Sequence, residues 1–437
     1  MIPLGGAGPA MNRCLTPTVV LALSLIKSNQ RRALVGLGAA LLVSAGGPAN
    51  AAPTDGLPPL TIASRETFDV FDVPVGIDPG AAILNKLQVS ATLRGERVGL
   101  DGWLLHAQMF NFGGNSLSKH LGDLQTADNI EAVPVTRLFE AYLAKIWGTD
   151  QHSIAMRIGM MDLNSQFDSI DTASLMLNSS HGIGPDLSRS GRTGPSIYPV
   201  TAIGSSLTWV PSQKWTFRLG AYDGVSGSPT APKAFLAERL KPSDGLLAIG
   251  QADWQMTKNS RLEAGVWGYT AAQPGPARNA HDRGVYASYE APLALAPHLS
   301  FWLRGGLANG DAQPIAGYVG VGLVQEGTIR GRPDDRLGLA IAHAMMGDPA
   351  VDELGLPKSE TSFELTYQVK VSHRFVIQPD VDYIHHPAGI TREPDSLAIG
   401  LRFVLVAAYP TQTAANDPGD PTVPPDGSPS GGSPDQQ

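Results

Sequence analysis

The stretch Gln378–Pro387, QPDVDYIHHP, sets two aspartates at i, i+2 ahead of two adjacent histidines. These residue types ligate metals, and an Asp beside a His also serves acid–base catalysis. On an extended chain Gln378, Asp380 and Asp382 share one side, the two acids about 7 Å apart by the rise of two residues. Phe375, Ile377, Val381 and Tyr383 point the other way, and His385 and His386 fall beyond this aromatic end, where HPAG turns the chain. The spacing therefore reads as a wall bearing two acids followed by a hinge, and no metal site is expected.

Other chemistry is thinly represented. G-x-x-x-x-G-K-[ST], G-x-S-x-G and H-E-x-x-H are all absent. GYVGVGLVQEG has the glycines of a nucleotide loop but sits in an alternating strand with no helix after it. A membrane-barrel hydrolase would gather Ser, His and an acid on its rim, and no local motif supports one. Neither catalysis nor a cofactor is expected.

The elements that carry these residues are strands. Ile154, Met156, Ile158 and Met160 share a face opposite Ser153, Ala155, Arg157 and Gly159, and WTFRLGAYDG and SFELTYQVKVS repeat the alternation. About sixteen such segments occur, near 60–72, 84–94, 100–110, 137–147, 152–162, 200–209, 215–223, 247–255, 261–270, 283–291, 299–307, 317–325, 336–345, 361–371, 375–384 and 396–405. Short turns (GTDQ, PSQK, TKNS) alternate with longer connections, the pattern of an antiparallel transmembrane β-barrel. An even strand number suits closure, which leaves no edge in lipid. Trp147, Trp209, Trp215, Phe301 and Tyr383 at strand ends fit interfacial girdles. The alternative is a secreted all-β sandwich or propeller, in which the apolar face packs inward.

Composition agrees. Charged residues are 16% of the 437, against about 25% in soluble domains, while the apolar fraction is an ordinary 42%. No apolar run of about 20 residues follows the N-terminal region, so no membrane helix is expected there. Lys27, Arg31 and Arg32 precede ALVGLGAALLVSAGG and the small-residue site ANA, so residues 1–51 read as a secretory signal, with a membrane anchor as the alternative. A second apolar stretch, LTPTVVLALSLI, lies ahead of the basic cluster. The single cysteine, Cys14, falls in this leader, so the expected mature chain has no thiolate site or disulfide. That chain carries 28 Lys and Arg against 40 Asp and Glu, a charge of −12 that disfavours nucleic acid as a partner. The barrel domain is expected over 52–407, and 408–437, rich in Pro, Gly, Ser and Asp, reads as a disordered tail. Residues 111–135 and 163–199 break the strand rhythm and are long for surface connections.

In order along residues 60–405 the chain resembles the carbohydrate-selective porins of Gram-negative outer membranes. The likeness rests on GDLQTADNIEA, RLFEAYLAKIW, SIAMRIGMMDLNSQFDS, GIGPDLSRSGRTGPSIYPVTAIG, GRPDDRLGLAIAH and FVIQPDVDYIHHPAGITREPDSLAIGLRF. It implies a sixteen-stranded barrel passing small sugars by facilitated diffusion, with outer-membrane lipid and the barrel-assembly machinery as partners. A general or anion-biased diffusion porin is the alternative within transport. The chain departs from the family in that Phe403, the aromatic expected to end the last strand, is followed by some thirty residues.

A pore selects by width, lumen charge and hydrogen-bonding groups. Candidate constriction residues are Asp168, Asp171, Asp186, Arg189 and Arg192 in the second long loop, Arg157, Arg218 and Arg304 on the wall, and Asp380 and Asp382. Arginines facing acids would set a transverse field; the competing reading is that the loop charges only pin the loop to the wall. Arg137 and Glu140 pose a parity problem, because three residues apart on a regular strand they face opposite sides and Glu140 would meet lipid. A bulge, or a position above the membrane, would resolve it.

Overall fold

Strict alternation gives each strand one apolar and one polar face, and an apolar face turned to lipid demands a sheet without edges. The computed structural model describes residues 59–149, 152–238, 240–294, 296, 298–389 and 394–409. Sixteen antiparallel strands pair with their sequence neighbours, and β1 pairs with β16 to close the barrel. They are β1 (Leu60–Val75), β2 (Gly80–Arg94), β3 (Trp103–Gly114), β4 (Thr136–Thr149), β5 (His152–Met161), β6 (Ala202–Ser212), β7 (Trp215–Asp223), β8 (Leu246–Thr257), β9 (Ser260–Pro274), β10 (Asn279–Pro292), β11 (Leu299–Ala308), β12 (Ile315–Glu326), β13 (Arg336–Met346), β14 (Ser359–Ser372), β15 (Phe375–His385) and β16 (Ser396–Tyr409).

The face that is enclosed decides between a membrane barrel and a sandwich. Ile154, Met156, Ile158, Leu219, Phe363 and Leu365 stand exposed, while Glu364, Thr366 and Gln368 on the opposite face of β14 are buried. A soluble sandwich buries the apolar face, so this is a barrel with an apolar exterior and a polar lumen. The turns 213–214, 258–259 and 373–374 lie at one end, the loops 115–135, 162–201 and 224–245 at the other. Short turns mark the periplasmic end. There Trp215 stacks on Trp254 (5.7 Å between centroids) and Phe217 (5.8 Å), and Trp209 lies 5.5 Å from Phe217. Trp147 is also exposed, and Tyr383 is exposed toward the opposite rim. Phe301 is half-buried beside Tyr289.

The expected leader, 1–51, lies outside the described residues, as does the expected tail, 408–437, beyond Tyr409. Ala408 and Tyr409 belong to the barrel instead, because β1 offers Ala63 and Ile62 as partners.

The register also settles the parity of β4. Gln108 faces Glu140 and the next residue, Met109, faces Leu138, so Phe139 is an extra residue in β4. The bulge turns Arg137, Phe139 and Glu140 all inward and buried. β5 pairs with β4 only from Ala141 downward, because its chain leaves the wall after Met161. The loop 224–245 fills that place: Leu138 N–H donates to Phe235 O at 2.9 Å, with Phe235 and Leu236 exposed beside it.

Candidate functional site: the narrowed lumen

Two long loops turn into the barrel and bond to its inward-facing side chains. From loop 162–201, Leu177 N–H and Asn178 N–H donate to the Glu364 carboxylate (2.5 and 3.0 Å), and Thr172 N–H to Glu290 (2.9 Å). Leu175 O accepts from Gln378 Nε2 (2.8 Å), and Ser180 O from the Tyr318 hydroxyl (2.8 Å). The loop 115–135 is held at Leu124 N–H and Gln125 N–H by Glu360 (2.8 and 2.9 Å). Asp128 and Asn129 accept from Arg402, both at 2.9 Å. The loops also bond each other, through Asn129 N–H to Leu177 O (2.8 Å) and Ser179 N–H to Thr126 O (3.0 Å). A loop taken out of bulk water must satisfy its backbone in this way.

Arg304 is the main rivet. Its guanidinium donates to Asp168 Oδ1 (3.1 Å) and Oδ2 (2.7 Å) and to Asp186, between the rings of Tyr286 and Tyr318, each 5.3 Å away. All three charged groups are at most 1% exposed, so no ion or solute reaches them. Gly184 and Gly306 make room, because a Cβ on either would overlap the guanidinium. Burial pushes the Asp186 carboxyl up against the pull of Arg304, and burial alone holds His181 down to about 3, so this histidine is neutral. It lies edge-on to Trp302 and 3.6 Å from Glu364.

What the loops leave open is a cavity of ≈ 530 Å³. Its cations are Arg65 (β1), Lys86 (β2), Arg336 (β13) and Arg402 (β16), with Arg189 from the second loop. Its carboxylates are Glu131 from the first loop, Glu140 on β4 and Asp162 just after β5. Gln88, Gln108, Asn164, Gln368 and Gln378 supply amides. Phe110 and Phe139 are almost covered, so Tyr198, half-buried under Lys86 Nζ (4.9 Å), is the aromatic face a solute can meet. The sign of charge thus changes around the wall, basic on β16, β1 and β2, acidic on β4 and at the end of β5.

Of the ten residues singled out by sequence, Arg189 lines this cavity, donating to Leu124 O and to Thr126 Oγ1 (2.9 Å). Asp168, Asp186 and Arg304 form the buried rivet. Asp380 and Asp382 point inward as expected but are covered; Asp382 accepts from Ser362 and from Asn178 Nδ2 (3.2 Å). The loop lies over all five, which are buried. Arg157 and Arg218 face the lumen away from this cavity, one 5.4 Å over the Tyr142 ring and the other paired to Asp253. Asp171 is exposed 3.9 Å from Arg261, and Arg192 reaches to 3.9 Å from Asp244 of the loop 224–245. Sequence reasoning missed Arg65, Lys86, Arg336 and Arg402. Their inward parity was available, as in LAIGLRF, where Arg402 shares a face with Ala398.

A closed sixteen-stranded barrel with an apolar exterior and a polar lumen narrowed by its own loops defines a porin. The family profile described as carbohydrate-selective porin, OprB family, matches residues 78–405. The chain belongs to that family and is a sugar porin, a channel of the Gram-negative outer membrane. Among solved structures it is similar to OprB of Pseudomonas putida at high pH (15% identity, TM-score 0.66, covering 80% of this chain and 93% of that one). The low-pH structure of the same protein gives 14% identity and a TM-score of 0.50, covering 80% and 92%. The outer membrane channel DcaP of Acinetobacter baumannii gives 9% and 0.54, covering 80% and 97%. These likenesses are of fold. A comparison with curated proteins returns no match.

Proposed function

We propose that this porin passes neutral sugars through the cavity between Arg65, Lys86, Arg189 and Arg402 on one side and Glu131, Glu140 and Asp162 on the other. The observation that carries this is the reversal of charge around a single opening lined with amides. Guanidinium forks and carboxylates pair with neighbouring hydroxyls of a sugar, and the Tyr198 ring takes its C–H face. A transverse field orients a polar neutral solute at little cost, while a small ion gains from one wall only. Passage is diffusive, with no covalent step. The exposed exterior belt meets outer-membrane lipid, and the barrel-assembly machinery inserts the chain. In planar bilayers, glucose or maltose added to one side should reduce single-channel current at millimolar concentrations. Current indifferent to every sugar tested would refute carbohydrate selection.

A second reading has its own support, since the cavity holds five cations against three carboxylates. That excess favours an anion-biased pore, and the reversal potential in a salt gradient separates the two: a strong chloride preference without sugar block favours anions.

A further inference from the structure

The histidines of QPDVDYIHHP do not join Asp380 and Asp382; they join an acid further along the chain. β15 ends at His385, and the external connection returns to the wall at Asp395, just before β16. Asp395 accepts from His385 Nδ1 at 3.0 and 3.1 Å, from the backbone N–H of His386 at 3.1 Å and from the Tyr383 hydroxyl at 2.5 Å. Regular alternation would turn His386 inward. Its φ of 55° instead folds the second imidazole back onto the first, with centroids 3.8 Å apart and planes at 29°. One donor atom from each of the three side chains lies within 4.8 Å of the others. Both histidines are exposed at the outer rim.

We infer that His385, His386 and Asp395 form an external binding site for a divalent transition-metal ion of the zinc, nickel or copper type. Two imidazoles and one carboxylate, with room for water, suit these borderline ions better than calcium or magnesium, which want oxygen throughout. Two ligands at zinc bond lengths on a tetrahedral ion stand about 3.3 Å apart. The donor atoms already lie within 4.8 Å of one another, on two exposed histidines and a half-buried aspartate, so the gap to close is small. The ion takes the place of the hydrogen between His385 and Asp395, the ring keeping its N–H on Nε2, so protons compete with the ion for the site and binding weakens as pH falls. Tyr383 holds the second carboxylate oxygen and orients the ligand from behind. The hydrogen bond from Tyr383, with those from His385 and His386, holds the Asp395 carboxyl down to about 2.

The test is calorimetric titration of zinc chloride into the untagged, folded full chain in detergent at pH 7.5 and pH 6.0. We expect one ion per chain, bound more weakly at the lower pH. His386→Ala leaves every hydrogen bond to Asp395 in place and should weaken zinc at least tenfold, as should His385→Ala. Tyr383→Phe should weaken it less. Heat-modifiable gel migration confirms that each variant is folded. Absence of zinc binding overturns the site, and so does binding that survives unchanged in both histidine variants.

Discussion

Arg304 and Arg402 leave the wall in the same direction, one strand face alike, yet they live in different parts of the lumen. Around Arg304, on the wall from β9 to β12, the second loop covers the polar face, and charges that would meet solutes hold the loop. Around Arg402, from β16 to β2, the wall stays open to the cavity, although Arg402 also ties Asp69 (2.7 Å) and Asp128 (2.9 Å). Inward orientation therefore says that a charge belongs to the lumen, and only the loop above it says whether that charge is structure or selectivity.

The largest effect should come from breaking the covered side. Arg304→Met strands two buried carboxylates and should cost about 3–5 kcal/mol in thermal unfolding. The second loop should loosen with it and single-channel conductance should rise. Adding Asp168→Asn and Asp186→Asn should recover much of that stability, which a pore-lining role for these residues does not explain.

Next comes pH. His181 is held below its unfolded value of about 6.5, so its contribution to stability is present above that pH and is lost progressively down to about 3. The slope is up to about 1.4 kcal/mol per pH unit. His181→Gln should flatten that part of the melting-temperature profile between pH 7 and 4; an unchanged profile would mean that His181 is not the titrating group.

On the open side, Arg402→Gln should weaken sugar block several-fold and shift ion preference toward cations in bilayer recordings, and should also lower the melting temperature, because Asp69 and Asp128 lose their partner. The smallest effect is expected of Arg192→Ala, whose partner Asp244 is 3.9 Å away, with the arginine side chain 43% exposed: within about 0.5 kcal/mol in stability and little change in conductance. A large conductance change would move Arg192 into the constriction.

The strands were legible because lipid enforces alternation, as Ile154, Met156 and Ile158 show on β5. Inward parity was equally legible for Asp380, Asp382, Arg218 and Arg304. What could not be read was coverage. Asp168 meets Arg304 from 136 residues away, and Leu177 meets Glu364 from 187, by loop packing that no local period encodes. Strict alternation set Arg137 and Glu140 in conflict, and of the two resolutions open from sequence the structure shows the bulge, with Phe139 as the extra residue. Both histidines were expected past the strand end, but His385 is the last residue of β15, paired with Thr361, and only His386 lies beyond it; their partner Asp395 lies across a turn whose left-handed residue nothing in HPAG announces.

The tie between Arg402, Asp69 and Asp128 has a consequence in time. Arg402 sits on the last strand, Asp69 on the first, and Asp128 on the loop that narrows the lumen. The clasp can therefore form only when the two ends of the sheet have met. Until then the first loop lacks that anchor. Closure of the ring and the fastening of the first loop thus meet at one residue, Arg402.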